Sequence, residues 1–311
     1  MTTVQSAYSQ SQTVLPSIVA FLDILGFSRS TQEASLAGTE NDLLARLLNA
    51  LSTASSNIRD RSVSGPVAYH DIKFFTDNVA IGIPTHDLAF EGGEPELGFA
   101  LRSIGSYVLD MSLSGFFVRG GLSFGNHYMD DTVVFGPALL EAHDLEDQAV
   151  YPCVVLGDSI LNLVKRHLLW YSSVDVAPHN RHIAVSGDQR FFVNYLHMLD
   201  DGFGPDPSGL AAHREIITTQ LSALSGDRHV LEKYIWLANY HNWYCRVEGT
   251  PTAFLIDAPK RFWFNNLSDM FERVGNTLSE VPLPCRTRLR MKSDTQPSVI
   301  RRKHQAAGER E

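Results

Sequence analysis

Apolar residues recur along this chain in two alternating spacings. Ser17 to Ile24 (SIVAFLDI) is an apolar, β-branched run interrupted by Asp23 and ended by Gly26, and it predicts a buried strand. ENDLLARLLNALSTASSNI, residues 40–58, switches to helical spacing, with Leu43, Leu44, Leu47, Leu48 and Leu51 on one expected face. Lys73 to Gly82 (KFFTDNVAIG) reads as two short strands with Asp77-Asn78 at the tight turn, because Asp and Asn tolerate turn dihedrals. Leu97, Leu101, Ile104, Tyr107, Val108 and Met111 restore the helical period, and Gly115 to Gly125 (GFFVRGGLSFG) returns to a strand. The predicted order is β-α-β-β-α-β in an α+β fold.

Beyond this core the pattern changes. CVVLGDSILNLVKRHLLWY predicts a strand and then a helix, with Asp158 or Ser159 as N-cap. PTHDLAFEGGEPE and DDGFGPDPSGLAAH are Gly- and Pro-punctuated loops, the first of them acidic. His213 to Asn242 reads as two helices broken near Ser225-Gly226. The stripe Tyr234, Trp236, Leu237, Tyr240 and Trp243 is expected in the core or at a subunit interface, and His241 as a hydrogen-bonded core histidine.

Composition narrows the class. The 311 residues are 44% hydrophobic and 20% charged, enough for a sizeable core with additions. No apolar run approaches a bilayer span, and no basic segment followed by an apolar block opens the chain, so neither a membrane segment nor a signal peptide is expected. Cys153, Cys245 and Cys285 are scattered without zinc or disulfide spacing, which predicts a reducing cytoplasm. The net charge is −9, yet residues 286–311 carry eight Lys or Arg against three Asp or Glu, leaving the first 285 residues at −14. An acidic body argues against nucleic acid as a partner, and the basic end reads as a solvated, disordered tail.

The candidate chemistry lies in two aspartates. Taken alone, Asp23 is a strand-end residue and Asp77 a turn former. If their segments are neighbours in one sheet, both carboxylates meet at one edge, and hard oxygen donors at an open edge suit Mg²⁺ or Mn²⁺, which keep water and substrate phosphates in their shell.

FLDILGF, Phe21 to Phe27, resembles the F-x-D-I-x-G-F signature of class III nucleotidyl cyclases. IKFFTDNVAIG looks like that family's second-metal hairpin, FVRGGLSFG is similar to its R-x-G-x-x-x-G strand, and FGPALLEAHDLE sits where the family has a glycine followed by a helix. These motifs cover about the first half of the chain in family order. Within the family the likeness is greatest to the bacterial pyrimidine cyclases of Pycsar anti-phage systems, which make cyclic UMP or cyclic CMP.

The resemblance implies a ferredoxin-like βαββαβ catalytic domain over residues 17–185, after a flexible N-terminus at 1–16. A mainly helical C-terminal extension at 186–285 and a basic tail at 286–311 would follow. It implies that Asp23, Asp77 and the Ile24 carbonyl hold two Mn²⁺ or Mg²⁺ ions, and that Phe21 and the amides of Leu25, Gly26, Phe27 and Ser28 cradle a triphosphate. Lys73 matches a base-reading lysine, but its aspartate partner falls at Val133; Tyr69 is placed to narrow the pocket to a pyrimidine ring. The family's transition-state asparagine and arginine fall at Leu140 and Asp144, so Arg119 is the preferred replacement cation, ahead of Arg29 and Lys233. The implied reaction is cyclisation of UTP, or of CTP, in a cytoplasmic homodimer, with the product read by a separate effector. No residue has to be a separate general base. An ordinary adenylyl or guanylyl cyclase and a non-catalytic nucleotide sensor remain the alternatives.

Overall fold

The computed structural model describes residues 5–6, 8, 12–60, 67–68, 70–85, 91–223 and 227–273. The chain divides into two units, Met1–Val281 and Pro282–Glu311; the second, with the expected basic tail and Cys285, lies outside the described residues, as does Tyr69.

Strand β1 (Leu15–Ile24) is the centre of the molecule. Its side chains alternate: Ile18, Ala20, Leu22 and Ile24 enter the main core, while Ser17, Val19, Phe21 and Asp23 face the other way. After β1 come helices α1 (Phe27–Ala37) and α2 (Glu40–Asp60) and the hairpin β2 (Asp71–Phe75) and β3 (Asn78–Pro84); helix α3 (Glu94–Leu113) and strand β4 (Val118–Met129) follow. The four strands lie in the order β4-β1-β3-β2 with every neighbour antiparallel, so the expected β-α-β-β-α-β order is present. The result is a mixed α+β fold with a mostly antiparallel sheet.

The sheet continues past β4. A two-residue strand β5 (Val134–Phe135) pairs with β4, and after α4 (Pro137–Gln148) strand β6 (Val154–Leu156) joins β4 in parallel. Helix α5 (Asp158–Leu168) and the short α6 (His179–His182) lead to β7 (Ile183–Ser186) and β8 (Phe191–Val193). Helices α7 (Pro207–Ala223) and α8 (Arg228–Val247) precede β9 (Phe264–Asn266) and α9 (Leu267–Arg273), and β9 is the sheet's far edge. The region read as mainly helical therefore also supplies strands to the same sheet.

Several local expectations change. Helix α1 was not predicted, since FSRSTQEASLA has no apolar stripe and buries Ala34 alone; left-handed glycines bound it, Gly26 at φ 73° and Gly38 at φ 70°. In α2, Leu47, Ala50, Ala54 and Ile58 form the buried stripe, flanked by Leu43 and Leu51, whereas Leu44 and Leu48 are 51% and 57% exposed. Five leucines in nine residues span more than one helical face, and helix α3, packed against α2, takes the one that continues through the alanines. Gly157, not Asp158 or Ser159, precedes α5; the Ser159 hydroxyl instead accepts from the Phe124 amide (2.8 Å), joining α5 to β4. Tyr8, in the segment read as a flexible N-terminus, is fully buried and donates to Ser17 Oγ (2.8 Å).

The aromatic stripe of α8 is core. Trp236, Leu237 and Tyr240 are buried against Phe192 and Phe264, so this surface is consumed within the chain and is not open to a second subunit. Cys153 and Cys245 are buried free thiols, and burial pushes Cys153 up to about 12. No helix among the described residues is long and apolar enough to cross a membrane.

Buried histidines pair inside each half of the chain. His167 Nδ1 and His179 Nε2 are 3.2 Å apart, and His213 Nδ1 and His241 Nδ1 3.0 Å, with His241 Nε2 also 3.0 Å from the Phe254 carbonyl. In each pair one ring must donate and the other accept, so the accepting ring has to be neutral. Burial pushes His127, His179 and His241 down to about 4, His182 to about 3 and His213 well below its ordinary value. A histidine depressed in the folded state favours folding above its unfolded value and loses that contribution as pH falls towards the folded value. The thermal midpoint, followed by circular dichroism, should therefore fall steadily from about pH 6.5 to about pH 4. A flat profile over this range would contradict the buried pairs.

Candidate active site

Asp23 is the penultimate residue of β1, where the ladder places Asn78 of β3 on one side and Arg119 of β4 on the other. The β2–β3 connection is Thr76-Asp77, with Thr76 at φ 54°, and Asn78 already pairs with Phe75, so the turn sits one residue earlier than expected. The Ile24 amide donates to the Asp77 carbonyl (3.2 Å), which brings that turn to the end of β1. Asp77 Oδ1 accepts from Thr76 Oγ1 (2.8 Å) and Asn78 Nδ2 (3.3 Å). Asp23, Ile24 and Asp77 thus meet at one sheet edge.

Arg119 fills the space beside them. Its Nε donates to Asp23 Oδ2 (2.9 Å), its Nη1 to the Ala149 carbonyl (3.1 Å), and its Nη2 lies 2.8 Å from Glu146 Oε1. Glu146 is buried in the last turn of α4, where the helix's unpaired carbonyls also favour a cation. The helix reaches this position because residue 121 is glycine: a Cβ there would stand 2.3 Å from the Ala142 carbonyl oxygen. The glycine of the R-x-G motif therefore seats the helix that completes the arginine's shell. Burial raises both carboxyls above their ordinary values and Arg119 opposes the rise; for Glu146 the nearby Asp23 and Asp147 add to it, and for Asp23 the nearby Asp77 adds to it while Lys233 of α8 subtracts.

The remaining candidates divide. Phe21 lies on the Asp23 face with its ring against His143 (centroids 5.0 Å). The Leu25 amide is already bonded to the Phe117 carbonyl (2.8 Å), so it leaves the expected phosphate cradle; Gly26, Phe27 and Ser28 open α1, whose N-terminus no side chain caps. Lys73 lies on the same face further along, 3.4 Å from Asp131 Oδ1, so the carboxylate near it comes from residue 131 and not from 133. Leu140 and Asp144 are exposed on α4. Arg29, the residue after Ser28, is engaged by Glu33 (2.7 Å) and Asp227 (3.0 Å). Tyr69 lies outside the described residues.

Glu146 escaped the sequence reading. The signal was present: Ala138, Ala142 and Glu146 recur every four residues, which puts the glutamate on the small, buried face of α4.

The donor set has the hardness a divalent cation such as Mg²⁺ or Mn²⁺ requires, although burial first, and the neighbouring Asp77 to a lesser degree, raise the Asp23 carboxyl against the pull of Arg119. Among the described residues no group of three or more His, Cys, Asp or Glu could enclose a metal, so such an ion would depend on water and phosphate for most of its shell. Two cavities of about 280 and 380 Å³ lie elsewhere, lined by Tyr151, Trp236 and Trp263 and by Arg46, Leu113 and Ile216 respectively. The charged group is an edge and belongs to neither.

Arg119→Met would strand Asp23 and Glu146 together. It should destabilise the protein at pH 7 by about 2–3 kcal/mol, less than the ~3–5 of a fully buried pair because the edge is partly solvated. With the guanidinium gone, both folded-state values rise further above the unfolded ones, so the loss grows as pH rises through them. Urea unfolding should show a smaller deficit at pH 5 than at pH 8, and a deficit that does not vary with pH would contradict the network.

No protein-family model matches the chain, and no curated protein matches it. Among solved structures, it is similar to a class III adenylyl cyclase-like ATP-binding protein from Pseudomonas aeruginosa, at 13% identity with a TM-score of 0.36. That likeness covers 48% of this chain and 35% of the other, about a third of its length.

Proposed function

We propose that this chain is a nucleotide cyclase that closes the ribose 3′-oxygen of a nucleoside triphosphate onto its α-phosphorus. The observation that carries the reading is the meeting of Asp23 and Asp77 at adjacent strand ends, inside sequence motifs that resemble those of class III cyclases. A new 3′-O–P bond forms, the bond from the α-phosphorus to the bridging oxygen breaks, pyrophosphate leaves, and the hydroxyl proton passes to water. Divalent ions held by Asp23, Asp77 and the Ile24 carbonyl would acidify the hydroxyl and neutralise the phosphates.

The chain's own residues have three tasks in this reading. Arg119 stands where a cation is needed and exchanges part of its hold on Asp23 for phosphoryl oxygens, which leaves Glu146 and the Ala149 carbonyl to orient it. Gly26, Phe27 and Ser28 offer helix-terminal amides to the triphosphate. Lys73 meets the base. Tyr69 is the residue we assign to pyrimidine selection, with UTP as first substrate and CTP as second, in a homodimer whose cyclic product acts as a second messenger in phage defence.

The contact between Lys73 and Asp131 favours a second reading, an ordinary purine cyclase, because it supplies the lysine–carboxylate pair that the sequence lacked at Val133. Incubation with ATP, GTP, CTP and UTP in Mn²⁺, with products identified by mass spectrometry, separates the two. Asp23→Asn and Asp77→Asn should each lose roughly a thousandfold or more in turnover while keeping the wild-type circular dichroism spectrum. Full activity in either variant would remove the proposal, and bound nucleotide without product would make the protein a sensor.

A further inference from the structure

Helix α8 brings a cation to this edge that no other part of the fold explains. Three contacts fix the helix there. Its N-cap Asp227 bonds Arg29 at the start of α1 (3.0 Å), Tyr234 packs edge-on against Phe117 (centroids 5.7 Å), and Trp236 stacks on Tyr151 (5.7 Å, 7° between planes). Between them lies Lys233, half-buried and within electrostatic reach of both Asp23 and Arg119. Among the described residues no carboxylate forms an ion pair with its ammonium group.

A lysine in that position is unfavourable to the fold alone. Its charge is partly desolvated and stands near a second cation, Arg119, and burial followed by that repulsion lowers its proton affinity against the pull of Asp23 and Asp227. Asp23 is committed to Arg119, so it offsets little. Methionine would fill the same space without the penalty.

We propose that Lys233 binds the phosphate chain of the nucleotide, and that helix α8 thereby completes the active site from the C-terminal half of the same chain. This rests on the nucleotide reading above. Arg119 is bonded to Asp23 and Lys233 lies within electrostatic reach of both, so a polyphosphate laid across the edge from the Gly26–Ser28 turn would meet both cations and give Lys233 the anionic partner it lacks among the described residues.

The test is equilibrium binding by the full-length chain of the 3′-deoxy triphosphates of the four bases, which lack the attacking hydroxyl, and of the matching monophosphates, all with Mn²⁺ and followed by calorimetry. Lys233→Met should weaken binding of the preferred triphosphate by at least about tenfold, as expected for loss of a charge-assisted hydrogen bond. It should weaken the monophosphate less, and Lys233→Arg should restore most of the affinity. The melting temperature of Lys233→Met should equal or exceed that of the wild type, which a structural lysine would not allow. Triphosphate affinity unchanged in Lys233→Met overturns this inference and leaves the cyclase reading standing. A drop in melting temperature together with affinity that arginine does not rescue overturns it as well. Failure of the wild type to bind any of the four overturns the nucleotide reading itself, and the inference with it.

Discussion

The central strand has to satisfy two unlike surroundings at once, and the rest of the structure follows from how it does so. On one face Ile18, Ala20, Leu22 and Ile24 must stay dry beneath α2 and α3; on the other Val19 and Phe21 meet α4, and Asp23 reaches the edge. Because strand side chains alternate with period two, a slip of one residue would drive Asp23 into the core and Ile24 into water. Burial of the apolar residues thus fixes the register that places the carboxylate. The same holds for β4, where buried Val118 precedes Arg119 and Gly120 could not carry a side chain without striking the Phe21 carbonyl (2.3 Å). The charged residues stand together because the residues between them cannot move.

The charges so placed do not balance well. Arg119 has two carboxylates and a helix terminus, yet burial still raises Asp23 and Glu146, and Asp77 adds to the negative potential at Asp23. On the other side Lys233 and Arg119 repel one another. A network assembled for stability would pair these groups off or replace them with apolar volume. Partly desolvated charges of both signs, at the strand end that leads into the Gly26 turn, are suited to a ligand that carries both metal and phosphate.

Much of this could be read in advance from particular residues. The alternation in SIVAFLDI and the helical spacing from Leu97 to Met111 gave strand, helix and buried face, since a pattern that strict admits one period. Asp23 and Asp77 stood out because each ends an apolar run where only turn chemistry would otherwise explain it. What stayed hidden depended on contacts across long separations. Leu44 and Leu48 look the same as Leu47 until the neighbouring helix selects a face. The Leu25 amide looks available until Phe117, ninety-two residues later, accepts from it. Lys73 seems to lack a partner until a turn brings Asp131 within 3.4 Å, and Glu146 reads as one more surface acid on a polar helix.

The two halves of the chain were expected to be a catalytic domain and an appendage, and the packing joins them. Helix α3 is buried almost all round: one side rests on the sheet and α2, while Gly105 on another lies so close to Met198 that a Cβ would stand 3.1 Å from its Cγ. Strands β7, β8 and β9 extend the same sheet, and Tyr195 and Tyr240 interlock with His213 and Asn194 beneath it. The second half therefore supplies part of the core that holds β1 and β4 in register. Helix α8 carries both consequences, since its Trp236 and Tyr240 are core while Lys233, a turn away, stands at the charged edge. Any change that loosens the aromatic stripe would move that ammonium group, so the packing of the C-terminal half and the electrostatics of the edge are one mechanical unit.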